Sequence, residues 1–206
     1  MGPTCRPAPA CARWERDLQC VSPRPTAAPR RPGPLGLIFT IPVAIIGGIF
    51  GIVGAIAGEL QPGSILFVPL IPILAAPIIE EALKPVGVYL LQVRWPRLLL
   101  GRLHTGILGG LGGLTFGVIE SLAYVWGADD PSGTFVAYRF TLPLSLHATC
   151  SFLVGLGIVS SVVSWANGEN PLPKSSRNLY IAAVAIHATF NTLAITLTIT
   201  GVVDLD

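Results

Sequence analysis

The chain has 206 residues, of which 51% are hydrophobic and only 12% charged, and its mean hydropathy is +0.68. Soluble domains carry about 25% charged residues, so the composition excludes an ordinary water-soluble domain and indicates a single membrane-embedded one. The net charge of +2 excludes little, because in such a chain the placement of charges matters more than their sum.

In chain order, Met1–Pro34 is rich in Pro, Ala and Arg, with six arginines and almost no apolar periodicity. That composition predicts a disordered, basic tail. Cys5, Cys11 and Cys20 lie in it and Cys150 in a later helix; their spacing matches no zinc pattern, and free thiols are expected. Five apolar segments follow, each close to the length a bilayer requires. They run from about Leu35 to Ala57, Ile65 to Val93, Thr105 to Trp126, Tyr138 to Trp165 and Leu179 to Val202. The expected fold is therefore all-α, a polytopic membrane bundle of about five transmembrane helices over residues 35–206, with the first span uncleaved. Frequent Gly (23) and Pro (19) suit membrane helices that pack backbone to backbone. Gly47, Gly51, Gly54 and Gly58 mark one such face on the first span, and Gly109, Gly113, Gly117 and Ser121 another on the third. Trp95, Trp126 and Trp165 stand at segment ends, as interfacial anchors do.

Loop charges alternate. The tail is basic, the next loop holds Glu59, and then come Arg94, Arg97 and Arg102, Asp129 and Asp130, Lys174 and Arg177, and finally Asp204 and Asp206. The positive-inside rule places the N-terminus in the cytosol and the C-terminus outside. Arg139, at the outer end of the fourth span, is the single exception.

The second span carries Glu80, Glu81 and Lys84 in an otherwise apolar stretch. A charge at the centre of a spanning helix costs about 2.5–3.5 kcal/mol on insertion scales, so such groups indicate function by default. Glu80 and Lys84 are one helical turn apart, while Glu81 points about 100° away from Glu80. Pro85 cannot donate to the Glu81 carbonyl, which predicts a kink or opening where the acids sit. Glu120 lies beside the small-residue ridge of the third span, His147 is in the fourth, and His187 and Asn191 share a face of the fifth. At about 1.5 Å of rise per residue, four helices place these groups in one middle-to-outer band. His104, at the cytosolic end of its helix, is expected to be interfacial.

In order, the motifs are Glu-Glu-x-x-Lys (80–84), Phe-x-x-x-Glu (Phe116 to Glu120), a lone His (147) and His-x-x-x-Asn (187–191). This ordered set resembles the PrsW family of intramembrane proteases, which is similar to the type II CAAX prenyl endopeptidases. The latter typically have Arg one residue beyond the position of Lys84, and His where Glu120 stands. The resemblance covers about Ala75–Leu193. It implies an intramembrane endopeptidase acting on membrane-embedded or membrane-anchored proteins, anti-sigma factors among them, in the plasma membrane of a prokaryote. No nucleic-acid partner is implied. By the same resemblance Glu80 or Glu81 is the base that activates water, with Lys84 and Phe116 in support. Glu120 and His147 orient the water or, with His187, hold a zinc ion; His187 and Asn191 form the oxyanion hole. No His-Glu-x-x-His occurs, which excludes the soluble zincin pattern. Two other classes fit parts of the pattern. A proton- or ion-coupled transporter also strings acids and histidines across helices, but no inverted repeat accompanies them here. A non-catalytic scaffold has no need of the intact Glu-Glu pair.

Overall fold

The computed structural model describes residues 33–59 and 71–201. The basic tail up to residue 32, with Cys5, Cys11 and Cys20, lies outside them, as do residues 65–70 of the second expected span and Asp204 and Asp206.

The described residues form helices and no strands. Helix α1 (Pro34–Glu59) is followed, after the undescribed stretch, by a π-helical turn (Ile71–Ala75), α2 (Ala76–Leu83) and α3 (Val86–Arg94). A 3-10 turn (Pro96–Leu98) leads to α4 (Arg102–Gly127). Then come α5 (Gly133–Arg139), α6 (Leu142–Gly157), α7 (Ser160–Ala166) and α8 (Lys174–Ile199). Four stretches are long and apolar enough to cross a membrane: Pro34–Gly54, Arg102–Gly127, Gly133–Gly157 and Lys174–Ile199. The second expected span is not a continuous helix among the described residues. Helicity breaks between α2 and α3 at Lys84 and Pro85, where the ring nitrogen leaves the Glu81 carbonyl without its usual donor. The fourth span begins and ends earlier than its hydropathy suggests. It includes α5 and stops at Gly157, with Trp165 on the separate helix α7.

Both glycine ridges do what their spacing predicts. Along α4, Gly109, Gly113 and Gly117 face Ser151, His147 and Leu144 of α6, and the Ser121 hydroxyl donates to the Arg139 carbonyl at 2.9 Å. Along α1, Gly47, Gly51 and Gly54 face Gly87, Lys84 and Leu83. Helix α4 therefore packs on α6 and α1, α6 also packs on α8, and α1 covers α2 and α3. The opposite faces of these helices carry Ile46, Phe50, Ile107, Ile186 and Leu193, all exposed, which is the exterior a lipid-facing bundle needs.

At Gly113 the approach is tightest against the site. A β-carbon there would lie 2.6 Å from Ser151 Oγ and closer still to the His147 carbonyl oxygen. Alanine ordinarily favours a helix over glycine by about 1 kcal/mol, but overpacking a close contact costs about 1–3 kcal/mol. Gly113→Ala is accordingly expected to lower the melting temperature in detergent, whereas an alanine at the open Gly133 position leaves it unchanged.

Candidate functional site

Helices α2, α4, α6 and α8 bring their hydrophilic side chains to one buried cluster. Lys84 stands at its centre, fully buried, because the break before α3 leaves it at the inner end of α2. Its ammonium lies 2.9 Å from Glu80 Oε2, 2.7 Å from Glu81 Oε1 and 2.7 Å from His147 Nδ1. Phe116 packs beneath, its ring centroid 4.4 Å from the ammonium and 5.2 Å from the His147 ring. The ring covers the ammonium on that side, and a desolvated ammonium gains from its electron-rich face.

Each histidine is held by a carboxylate on the side turned away from Glu80. An ammonium can only donate, so His147 Nδ1 accepts from Lys84 and its Nε2 carries the proton donated to Glu120 Oε2 at 2.8 Å. His187 Nδ1 donates to Glu81 Oε1 at 2.8 Å. His147 Nδ1, which Lys84 already bonds, and the remaining His187 Nε2 each lie 3.9 Å from Glu80 Oε2. That oxygen is buried and has no hydrogen-bond partner of acceptable geometry among the described residues. The two imidazoles stand edge to face, 5.1 Å between centroids. Glu80, His147 and His187 thus form a three-residue donor set that could hold a metal ion.

The two adjacent acids differ in access. Glu80 lines a cavity of about 1210 Å³ together with Phe116, Glu120, Tyr124 and Arg139. Glu81 does not line it; its other oxygen faces Ser151 Oγ at 3.5 Å.

The structure therefore gathers Glu80, Glu81, Lys84, Phe116, Glu120, His147 and His187. Asn191 does not join them, because its Nδ2 donates to the Pro72 carbonyl at 2.8 Å and secures the π-helical turn. Glu120 is held away from the three-residue donor set. Its Oε2 binds His147 Nε2 and, at 2.9 Å, an Arg139 terminal nitrogen. Arg139 was legible only as a breach of the charge alternation. That breach was the available signal, since a cation at the wrong end of a span needs a buried partner. His104 sits apart, its Nδ1 accepting from the Leu100 amide at 3.2 Å.

No curated protein and no solved structure matches the chain. The family model described as PrsW family intramembrane metalloprotease matches residues 34–204. Every helix that contributes to the cluster falls inside that match, and the chain belongs to the PrsW family: it is an integral-membrane protease.

Proposed function

We propose that the protein hydrolyses peptide bonds of membrane-anchored proteins with a water activated at Glu80. The observation that carries this is the position of Glu80 Oε2, buried at the cavity wall, without a hydrogen bond, and 3.9 Å from each of two imidazole nitrogens. Water entering the cavity meets this carboxylate before it can meet Glu81. Glu80 takes a proton as the water oxygen adds to the substrate carbonyl carbon, and returns it to the departing nitrogen when the C–N bond breaks. Glu81 and Glu120 fix the tautomers and ring orientations of His187 and His147. Lys84 holds Glu80 and Glu81 apart on one ammonium. Asn191 is committed to Pro72 and the His187 N–H to Glu81, so neither offers a free donor to the developing oxyanion in this arrangement.

The donor types also fit zinc. Two imidazole nitrogens and one carboxylate oxygen make a familiar catalytic set, and each histidine has a carboxylate on its far nitrogen, as ligating histidines usually do. Glu80, His147 and His187 would hold the ion once Lys84 gives up its bond to His147 Nδ1, and the ion would supply a Lewis acid and an acidified water. A carboxylate has two oxygens, so holding an ion with one leaves the other able to take a proton. The purified protein is expected to carry about one zinc per chain. Glu81→Gln and Glu120→Gln are expected to weaken zinc about 10–100-fold, read by competition with a chromophoric chelator.

The family resemblance supports an anti-sigma factor or a similarly anchored protein as substrate and a prokaryotic plasma membrane, and the alternating loop charges support a cytosolic N-terminus. The test is cleavage of a membrane-anchored reporter in proteoliposomes. Cleavage that disappears on chelation and returns with zinc is the expected result. Ion flux without cleavage would replace this reading with a transporter.

A further inference from the structure

The cavity at Glu80 has a second polar wall. Arg139 lines it, with a side chain only 12% exposed. One terminal nitrogen holds Glu120 Oε2 at 2.9 Å, and the guanidinium carbon lies 3.9 Å from the Tyr124 ring centroid. The Nε–H is buried and has no acceptor among the described residues. A guanidinium is always charged and only donates, so among the described residues this donor is left unsatisfied. Buried donors are rarely left in that state without a reason.

The surroundings select the acceptor. Glu120, Asp129 and Asp130 line the same cavity and oppose a carboxylate ligand, but they do not oppose a neutral carbonyl. The other walls include Ile52, Ile56, Ile119 and Ile195, which suit an apolar segment. Arg139 is linked to Glu80 through Glu120 and His147, which places it beside the reacting carboxylate and not on it.

We propose that Arg139 is a substrate anchor: its Nε–H binds a main-chain carbonyl of an apolar segment lying in the cavity, a few residues from the bond that is cut. This rests on the hydrolytic reading of Glu80. Inside an α-helix the main-chain carbonyls are already bonded four residues along, so the anchor selects substrate that is unwound at this point. Transmembrane segments with a local helix breaker are the preferred class.

Arg139→Lys keeps a cation beside Glu120 but removes the Nε–H and the planar fork. Losing one charge-assisted hydrogen bond to substrate is expected to raise KM about tenfold with kcat little changed. A fall in kcat at unchanged KM would overturn the anchor and leave Arg139 a support for Glu120. Binding separates this from the chemistry. In a Glu80→Gln background, a fluorescent apolar reporter segment in nanodiscs is expected to bind about tenfold more weakly when Arg139→Lys is added. Equal binding overturns the anchor; weaker binding sustains it even where wild-type protein fails to cleave the reporter, an outcome that removes the hydrolytic reading alone. Should the lysine variant not fold, thioamide substitution along the reporter gives the same answer on wild-type protein. One position is expected to lose affinity, and uniform affinity at every position overturns the proposal.

Discussion

Glutamine in place of Glu80 is expected to lower kcat by about 10²–10⁴, the range that a positioned proton acceptor contributes, while the protein stays folded. The two side chains have nearly the same shape. Glu80 Oε2 makes an ion pair with Lys84 and no hydrogen bond of acceptable geometry, and Lys84 keeps Glu81 Oε1 at 2.7 Å when Glu80 is neutralised, so the buried ammonium is not left without a counter-charge. Glu81→Gln is the informative contrast. Glu81 Oε1 accepts from both Lys84 and His187, so its replacement loosens an imidazole and costs stability as well as rate. Single-turnover cleavage in proteoliposomes, with zinc content measured on the same preparations, separates the roles. Zinc retained with cleavage lost makes Glu80 the proton acceptor alone, whereas loss of both makes it a ligand too. Cleavage by Glu80→Gln within a few-fold of wild type would remove Glu80 from the chemistry.

Lys84→Met is expected to be the most damaging single change to the fold. The ammonium is fully buried and lies within 2.9 Å of both Glu80 and Glu81. Removing one partner of a buried ion pair typically costs about 3–5 kcal/mol, because the other charge is left uncompensated. Here two carboxylates are left. Native-like stabilities are only about 5–15 kcal/mol, so little folded protein should survive extraction, and the thermal melt in detergent should be abolished or sharply lowered. Combining Lys84→Met with Glu80→Gln and Glu81→Gln is expected to recover much of the loss, since no net charge then remains buried at these three positions. If Lys84→Met alone melts like wild type, the cluster is more hydrated than its burial implies.

Much of this site is visible along single helices. The i,i+4 spacing of Glu80 and Lys84, the glycine ridge that sends α4 against α6, and the acid beside that ridge all follow from helical periodicity, which is a property of one segment at a time. What periodicity does not report is which residues meet across helices. Glu120 and Glu80 are both carboxylates facing His147, and only the packing of the helices shows that Glu120 binds one nitrogen of that ring while Glu80 lies 3.9 Å from the other. The place of Asn191 is set by its bond to the Pro72 carbonyl in the π-helical turn at 71–75, a contact between segments that no single-helix pattern encodes. Arg139 was hidden for a different reason. Charge-based topology treats every basic residue as bound to the aqueous phase, so a cation satisfied inside the bundle registers as an anomaly and not as a site.

The interruption at Lys84 and Pro85 also governs how the protein is made. A translocon releases segments sideways into lipid according to their hydrophobicity, and a short helix ending in two acids and an ammonium is a poor candidate for release on its own. Its charges become tolerable only once α4, α6 and α8 supply Glu120, His147 and His187. All of those residues are synthesised later, so the charges of this stretch lack their partners on α4, α6 and α8 until the last helix has been made. A chain that has not yet made α8 therefore lacks one wall of the cluster, and its three-residue donor set is incomplete.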